Sequence, residues 1–515
     1  PGDMARAMAF GAVASPAAGA SARDQALAAT DRLLGEVAAH LPPDTLLLVP
    51  AIAPAGDTWH VEPVVAAGPG VPAGYLHSPS VHRLGIVTIT DLAPTVLHAI
   101  GQPTPDGMIG HALRYHPGPV DPAMLQRVDR DANYREGYWF PMTLGYIIFQ
   151  AAMYLLAGIA LGRPGGTRLG RLGPLLRWIV LGVAAFPLAS FVYRAVPGAA
   201  RLAGPGLLLM FVIDAALVAL ALRARRHPLS PLSWILGATV GLLVADVATG
   251  ARLQASSLLG YSLHTAARFT GIGNSAFAAL AAATLLLAAT HLHWGPRPRE
   301  ALVAVACLFA AVVLVDGAPS LGDDVGGILT LVPIFGVVLL VLSGRRLRIR
   351  TLAIALVATI AVLGVATTVD LLRPPEARTH LGTFAASLTH RGSSNFSTTV
   401  ARKLSTNLRT YKSPWCWIVV ILALYMLWVL GWRRGWSRFL PPGSALRVAV
   451  VATLSAGVLG NLLNDSGVVV TALVFVYIGP FLTLLALDGV EPAPELLDPQ
   501  PLPGDAAAAV PVPAR

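Results

Sequence analysis

This sequence has little charge, few cysteines and almost no lysine. Charged residues make up 12% of its 515 positions and hydrophobic residues 55%, whereas ordinary soluble domains are about 25% charged. So little charge excludes most water-soluble folds and predicts an integral membrane protein. The two cysteines, Cys307 and Cys416, lie inside apolar runs, so they predict neither a disulfide framework nor a metal cluster.

Lysine occurs only at Lys403 and Lys412, so arginine supplies nearly all of the net charge of +10. The arginines fall in short clusters between apolar runs, which is typical of cytoplasmic loops and not of a nucleic-acid-binding groove. We therefore expect no nucleic-acid partner. Because the chain begins with Pro1, we expect a fragment of a longer protein, the alternative being a true start at Met4.

From Tyr138 onward the sequence is a series of apolar runs of about 20 residues, each long enough to cross a bilayer. It predicts a mainly α, polytopic helical bundle over 138–489, with a disordered, Pro- and Ala-rich tail at 490–515. The eleven predicted spans are 139–161, 174–193, 204–222, 231–249, 275–293, 301–316, 327–343, 351–371, 415–432, 446–464 and 467–488.

Arginine clusters occupy alternate connections, for example Arg223, Arg225 and Arg226 in one of them. The positive-inside rule then places these connections and the C-terminus in the cytoplasm, and the N-terminal domain outside it. We expect a multi-pass protein of the plasma membrane. In the long connection at 373–414, the stretch "SSNFSTTVARKLSTNLRTYK" predicts either an amphipathic surface helix or a plain solvated connector.

Charged and amide residues collect in the connections that this orientation places outside. Ionisable groups at membrane depth are costly, so their convergence predicts a polar pocket at the outer leaflet. Carboxylates there would hold a divalent cation, with Asp323 and Asp324 as candidate ligands, and arginines would hold a phosphate. The alternative is that each residue only caps a helix or fills a turn. The set is Asp246, Arg268, Asn274, Asp316, Asp323, Asp324, Asp370, Arg373, Arg378, His380, Asn464 and Asp465.

Asp214 stands apart because "LLLMFVIDAALVALAL" places it in the middle of an apolar run. An intramembrane aspartate is a candidate proton or cation relay. A hydrogen bond to a partner inside the bundle is the alternative, and the sequence does not separate the two.

Residues 1–137 are less hydrophobic and mix helix-like with strand-like patterns, which predicts a partial α/β domain. The predicted elements are a helix from Ser21 to Pro42, strands at 44–52, 62–70 and 84–90, and a helix from Thr90 or Asp91 to Gly101.

The stretches "HVEPVVAAGPGVPAG", from His60, and "RLGIVTITDLAPTVLHAIGQPTPDGMIGHAL", from Arg83, resemble the C-terminal part of the alkaline phosphatase and sulfatase superfamily. The resemblance implies a metal-ligand role for His60 and a structural helix for the run that begins at Asp91. The superfamily's Asp-His pair is replaced by "AIAPAG" after Pro50, and its nucleophile would lie before Pro1. The resemblance therefore implies a degenerate enzyme or, if active, a phosphoryl-type hydrolase or transferase.

The motifs "ARFTGIGNSAF", "GDDVGG" and "NDSG" resemble outer motifs of mostly actinobacterial membrane proteins that join such a domain to a polytopic region. This implies a cell-envelope protein in contact with the lipid bilayer. Three functions stay open. One is handling of a phosphate-bearing lipid or polymer, such as a phospholipid or a lipid-linked envelope precursor. The others are a transporter or lipid flippase that uses Asp214 and Asp246, and a non-catalytic scaffold for envelope assembly.

Overall fold

A computed structural model describes most of the chain, and its contacts form two compact units. The first unit contains the described residues up to Tyr138 and those between 261 and 270, and the second contains the rest. The predicted tail at 490–515 lies outside the described residues. These are 2–52, 54, 59–81, 83–105, 108, 110–162, 169–199, 204–264, 269–294, 298–345, 348–374, 378–379, 381–383, 385–386, 393–432, 439–464 and 466–488.

The first unit begins with two helices, α1 (Gly2–Gly11) and α2 (Pro16–His40). Ser15 caps α2, since its hydroxyl accepts a hydrogen bond from the Ala18 amide at 3.3 Å, and Pro16 takes the first helical turn, where a missing N–H is harmless. The helix predicted from Ser21 is confirmed, with an earlier start.

Two small antiparallel sheets follow. Strand β1 (Leu47–Pro50) pairs with β2 (Val64–Ala67), and β3 (Gly74–His77) pairs with β4 (Arg114–Pro117). The predicted strands at 44–52 and 62–70 are therefore confirmed as shorter elements. Within the described part of the chain these sheets stay separate and two-stranded, so the predicted partial α/β domain is not confirmed.

The predicted strand at 84–90 is wrong. Leu84 makes one isolated bridge to His77, and Ile89–Asp91 form a 3-10 turn that leads into α3 (Leu92–Ala99). The cause is Asp91, whose carboxylate is buried and accepts hydrogen bonds from Thr88 N (3.1 Å) and Thr88 Oγ1 (2.8 Å). These bonds fold the chain back at Thr88, and they outweigh the strand preference of Ile86, Val87 and Thr88.

Long apolar helices build the second unit. Helix α4 (Pro122–Gly162) begins in the first unit and continues into the second. The further helices are α5 (Leu169–Arg194), α6 (Gly204–Ala221), α7 (Ser230–Ala248), α8 (Asn274–Trp294), α9 (Pro298–Gly317), α10 (Val325–Leu342), α11 (Ile349–Leu371), α12 (Ser393–Thr410), α13 (Trp415–Met426), α14 (Ala445–Leu463) and α15 (Val468–Asp488). Helix α13 continues as a π-helical turn at Leu427–Trp432.

The chain is a multi-pass membrane protein by the length and apolarity of these helices. Each of the roughly eleven predicted spans lies on a helix, with at most one residue beyond its ends. Among the described residues nine helices are long and apolar enough to cross a bilayer, or ten if a bent pair forms one span. The count leaves out α6, of which Gly206–Ala221 forms a shorter apolar helix, and it takes the segment at 415–432 as part of the bent pair.

The core of the bundle lies on α8 and α15. Residues Ala276–Leu286 are all buried, as are Thr471–Leu485 of α15. Alanine repeats along α8, and small side chains let neighbouring helices approach closely where no hydrophobic effect drives them together. In contrast, α11 exposes most of its apolar residues at the edge of the bundle.

Candidate functional site

Four connections of the second unit meet at one end of the bundle, which we call the Asp316 end. The Ile272 amide donates to Gly322 O at 2.9 Å, and Arg373 Nη1 donates to Pro319 O at 3.3 Å. The side-chain amide of Asn274 donates a hydrogen bond to the Ser466 hydroxyl. These bonds bring together the ends of the connections that carry most of the polar residues predicted from the sequence.

Asp246 organises the chain that follows α7. Its carboxylate is buried and accepts hydrogen bonds from the Leu253 amide (2.8 Å) and the Gln254 side-chain amide (3.1 Å). The side-chain oxygen of Gln254, Oε1, in turn accepts a hydrogen bond from the backbone amide of Gly273 at 2.8 Å. A buried carboxylate with these partners shapes a loop, which is the structural alternative for this residue.

The two adjacent aspartates of "SLGDDVGG" have different positions. Asp323 is half-buried and takes a left-handed backbone conformation with φ 51°, and its amide donates to Ala318 O at 3.1 Å. Asp324 is buried at the N-cap position of α10, yet its side chain makes no capping hydrogen bond. The Asp324 amide donates to Asp316 O at 3.0 Å, so this turn brings Asp324 back to the end of α9.

The carboxylates of Asp316 and Asp324 both face Gly327. A Cβ built on Gly327 would overlap Asp316 Oδ2 and lie 3.0 Å from Asp324 Oδ2. At Gly326 the same construction places a Cβ 3.4 Å from Asp324 Oδ1 and 3.5 Å from Asn464 Nδ2. The two glycines thus make room for two buried carboxylates and one amide.

The predicted metal site is not formed by the described residues alone. Among the described residues, no three histidine, cysteine, aspartate or glutamate side chains are arranged to hold a metal ion. Asp323 and Asp324 are neighbours in sequence, but it is Asp316 that shares the Gly327 position with Asp324. A divalent cation at this end stays a prediction.

Asp370 holds the chain that leaves α11. It is fully buried and accepts hydrogen bonds from Thr379 Oγ1 (2.7 Å), the Gly382 amide (2.8 Å) and Arg373 Nη1 (3.1 Å). Arg378 donates to Arg373 O at 3.1 Å. Asp370 therefore holds the guanidinium of Arg373 at this end, and Arg378 lies beside it through bonds to backbone carbonyls.

Three predicted site residues are not among the described residues, and one described site residue was not predicted. Arg268, His380 and Asp465 lie outside the described residues. Asn407 was not predicted, although it is buried and its amide donates to the carbonyl oxygens of Asn461 and Asn464. A neutral amide in a basic, polar stretch gives no signal that would have found it.

An apolar groove runs along α9, α10 and α11 and ends at this polar region. Its volume is about 540 Å³, within the range of about 300–1,000 Å³ that is usual for ligand clefts. All its lining residues are apolar, and alanine or glycine at positions such as Ala310, Gly336 and Ala358 leaves the space open. It extends along α9 from Ala306 to Pro319, and Pro319 is the residue whose carbonyl Arg373 binds.

Asp214 packs against α5 inside the bundle. A Cβ on Gly182 would lie 3.2 Å from Asp214 Oδ2, and Asp214 Oδ1 is buried without a hydrogen-bond partner among the described residues. No described residue therefore gives Asp214 Oδ1 the hydrogen bond within the bundle that was the alternative interpretation. A relay role for Asp214 stays a prediction.

A polar stripe on α4 was missed by the sequence reading. Tyr146, Gln150 and Tyr154 are buried and spaced four residues apart, so they share one helix face. Tyr146 donates to Val183 O at 2.6 Å, and the Tyr154 ring stacks on Tyr425 with centroids 4.7 Å apart. The i, i+4, i+8 spacing in "YIIFQAAMY" was the available signal.

His60, the predicted metal ligand of the first unit, is paired with a carboxylate. Its Nδ1 lies 3.0 Å from Asp129 Oδ2, and Asp129 Oδ1 also accepts from the Val61 amide (2.8 Å) and the Asn133 side chain (3.0 Å). Asp129 on α4 orients the imidazole, and no sequence pattern pairs residues that are 69 positions apart. The metal-ligand role of His60 stays a prediction.

Asp91 joins three loops of the first unit. Besides Thr88, it accepts hydrogen bonds from Ser78 Oγ (2.6 Å), Ser80 Oγ (2.9 Å) and the His111 amide (2.9 Å). Burial of Asp91 alone would raise its pKa, but the bonds from Ser78, His111 and Thr88 outweigh burial and hold the pKa below its usual value. The Asp91 carboxylate therefore has a structural role in this unit.

The comparisons with known proteins add no relative. No protein-family model, curated protein or solved structure matches this chain. The resemblance to the alkaline phosphatase and sulfatase superfamily, and with it any enzymatic activity, therefore stays a prediction.

Proposed function

We propose that this protein binds a phosphate-bearing membrane lipid, with an acyl chain in the groove of α9, α10 and α11 and the head group at the Asp316 end. The observation that carries the proposal is the groove itself. It is apolar throughout its lining and ends at Pro319, where the guanidinium of Arg373 binds the backbone.

The dimensions of the groove suit one acyl chain. From Ala306 to Gly317, the last residue of α9, it follows the helix over about 16 Å at 1.5 Å per residue, which is about half of the roughly 30 Å hydrocarbon core. The stacked rings of Phe309 and Phe335, 3.9 Å apart, form part of its wall. A bound chain would replace lipid contact by contact with this wall.

The polar end suits an anionic head group. Arg373 uses only Nη1 for hydrogen bonds to Asp370 and Pro319 within the described part of the chain, so its other donors remain for a ligand. Arg378 lies next to it through its bond to Arg373 O. Guanidinium groups bind phosphate oxygens in a bidentate manner. The alternative functions are a transporter or lipid flippase and a non-catalytic scaffold. A location in the cell envelope stays a prediction.

The test compares two tryptophan variants that differ by one position. Ala358 lines the groove, whereas the adjacent Val357 is exposed and does not. Ala358→Trp fills the groove with an indole, and Val357→Trp places the same side chain on the outer face of α11. The two variants and the unchanged protein are purified in a mild detergent, and bound phospholipid is measured by lipid extraction and mass spectrometry.

We expect Ala358→Trp to lose the co-purified phospholipid and Val357→Trp to retain it. The melting temperature of each variant shows whether it is folded. Equal phospholipid content in two folded variants would refute the proposal.

A further inference from the structure

Helix α12 carries an exposed apolar stripe. Val400, Leu404 and Leu408 are 47%, 58% and 61% exposed, and their spacing of four residues places them on one side of the helix. Three exposed aliphatic side chains in a row are unfavourable in water. The helix predicted for this stretch is confirmed, and its position relative to the membrane is what separates an amphipathic surface helix from a solvated connector.

Basic residues flank this stripe. Arg402, Lys403 and Arg409 on α12 and Lys412, two residues after its end, are all exposed, and the two lysines are the only ones in the chain. At 100° per residue, Arg402 and Arg409 point away from Leu404. An apolar stripe with basic flanks is typical of helices that lie in a membrane interface.

The C-terminal half of α12 is fixed to the Asp316 end of the bundle. Asn407 donates to the carbonyl oxygens of Asn461 and Asn464, and the Val468 amide donates to Thr410 Oγ1 at 3.0 Å. The turn between α14 and α15 thus holds the helix at the end of two spans, which is the level of a bilayer surface.

The direction of α12 agrees with this position. Residues 400–410 are bent by 69° from the apolar segment at 415–431, which packs along the buried helix α15. A helix bent so far from a span lies close to the membrane plane. Tyr411 and Trp417 are exposed near the bend, and such aromatic residues favour the interface.

We infer that α12 is an interfacial helix that lies on the bilayer surface with Val400, Leu404 and Leu408 in the lipid and binds anionic head groups through its basic flanks. This surface is separate from the groove of the proposed function. Its occupant is the lipid surface itself, because the positive charge and the attachment to a span match an anionic interface.

The test uses two single-cysteine variants of the full chain in vesicles. In a background with Cys307→Ala and Cys416→Ala, Leu404→Cys and Arg402→Cys receive the same environment-sensitive fluorophore. Quenching by nitroxide groups near the lipid carbonyls is compared with quenching by iodide in the buffer. The vesicles contain phosphatidylcholine alone or phosphatidylcholine mixed with phosphatidylglycerol.

We expect the label at 404 to be quenched by the lipid nitroxide and protected from iodide, and the label at 402 to show the reverse. In phosphatidylcholine alone, the ratio of lipid to iodide quenching at 404 should fall at least about fivefold, since one basic side chain near an anionic surface contributes about that factor. Replacing all four basic residues (Arg402, Lys403, Arg409 and Lys412) by glutamine in the Leu404→Cys variant should remove this difference between the two vesicle types.

Three results would overturn the inference. Free access of iodide to both labels in every vesicle would make α12 a solvated connector. Quenching of both labels only by nitroxides at mid-bilayer would make it part of a broken span. Equal ratios in the two vesicle types would contradict the binding of anionic head groups.

Discussion

The carboxylate of Asp316 lies against the bare Cα of Gly327. A Cβ at position 327 would overlap Asp316 Oδ2 and lie 2.8 Å from Asp316 Cγ. Because Asp316 is fully buried, its side chain has no open solvent into which it could turn. The residue type at 327 therefore decides whether the two carboxylates of this end fit between α9 and α10.

Gly327→Ala should destabilise the protein by about 1–3 kcal/mol, the usual effect of overpacking a filled site. Gly326→Ala is the matched control, because its nearest neighbours would lie at 3.4 Å, an ordinary contact, and alanine favours the helix. Thermal unfolding in detergent measures both. A Gly327→Ala melting temperature no lower than that of Gly326→Ala would show that Asp316 can move aside.

Gly479→Ala should have a similar effect at the polar stripe of α4. A Cβ there would overlap Tyr154 Oη and lie 2.5 Å from Tyr154 Cζ, while the ring is held by its stack on Tyr425. We expect a loss of about 1–3 kcal/mol, whereas Gly158→Ala, with no atom within 4 Å of its Cβ, should be neutral or slightly stabilising.

A double-mutant cycle identifies the tyrosine as the cause. Tyr154→Leu should restore part of the stability lost in Gly479→Ala, and Tyr154→Phe should not, because the ring carbon at 2.5 Å remains. Additive effects of Tyr154→Leu and Gly479→Ala in thermal unfolding would contradict the contact.

Asp91 should make the first unit sensitive to acid. Its pKa is lowered in the folded protein, so its contribution is complete above the usual aspartate pKa of about 3.9 and is lost as the pH falls through the lower folded value. Asp91→Asn should destabilise this unit at neutral pH by about 1–3 kcal/mol and flatten its acid dependence. Limited proteolysis of the full chain between neutral and acid pH measures both effects.

The exposed Asp24 on α2 supplies the control for that experiment. Asp24→Asn should leave both the protease resistance and its pH dependence unchanged. If Asp91→Asn keeps the steep acid dependence, another carboxylate is responsible for it.

The sequence predicted the helices of the bundle well because run length and apolarity determine them. It failed where tertiary contacts decide. The segment at 415–432 looks like one straight span by composition, yet it ends in a π-helical turn and its apolar part is bent by 69° from residues 400–410. In the first unit, Thr88 has a strand preference, but the buried carboxylate of Asp91 pulls it into a turn.

The candidate site was predictable in most of its polar members. Asp316, Asp324 and Asn464, all three expected from their polar connections, lie together around Gly326 and Gly327. The groove was not predictable, because it consists of missing side chains at alanine and glycine positions of three helices. Such positions become a groove only when the packing of their neighbours is known.

The orientation of the bundle is testable with one cysteine at each end. Ser320 is exposed in the turn of the Asp316 end, and Arg225 is exposed in the connection between α6 and α7. That connection lies at the opposite end, because His227 stacks on Trp294, the last residue of α8, with ring centroids 4.3 Å apart, whereas Asn274 begins α8 at the Asp316 end. In the background without native cysteines, a membrane-impermeant maleimide should label Ser320→Cys in intact cells and Arg225→Cys only after permeabilisation, since arginine-rich connections stay in the cytoplasm. The reverse pattern would place the Asp316 end, and with it the proposed head-group site, in the cytoplasm.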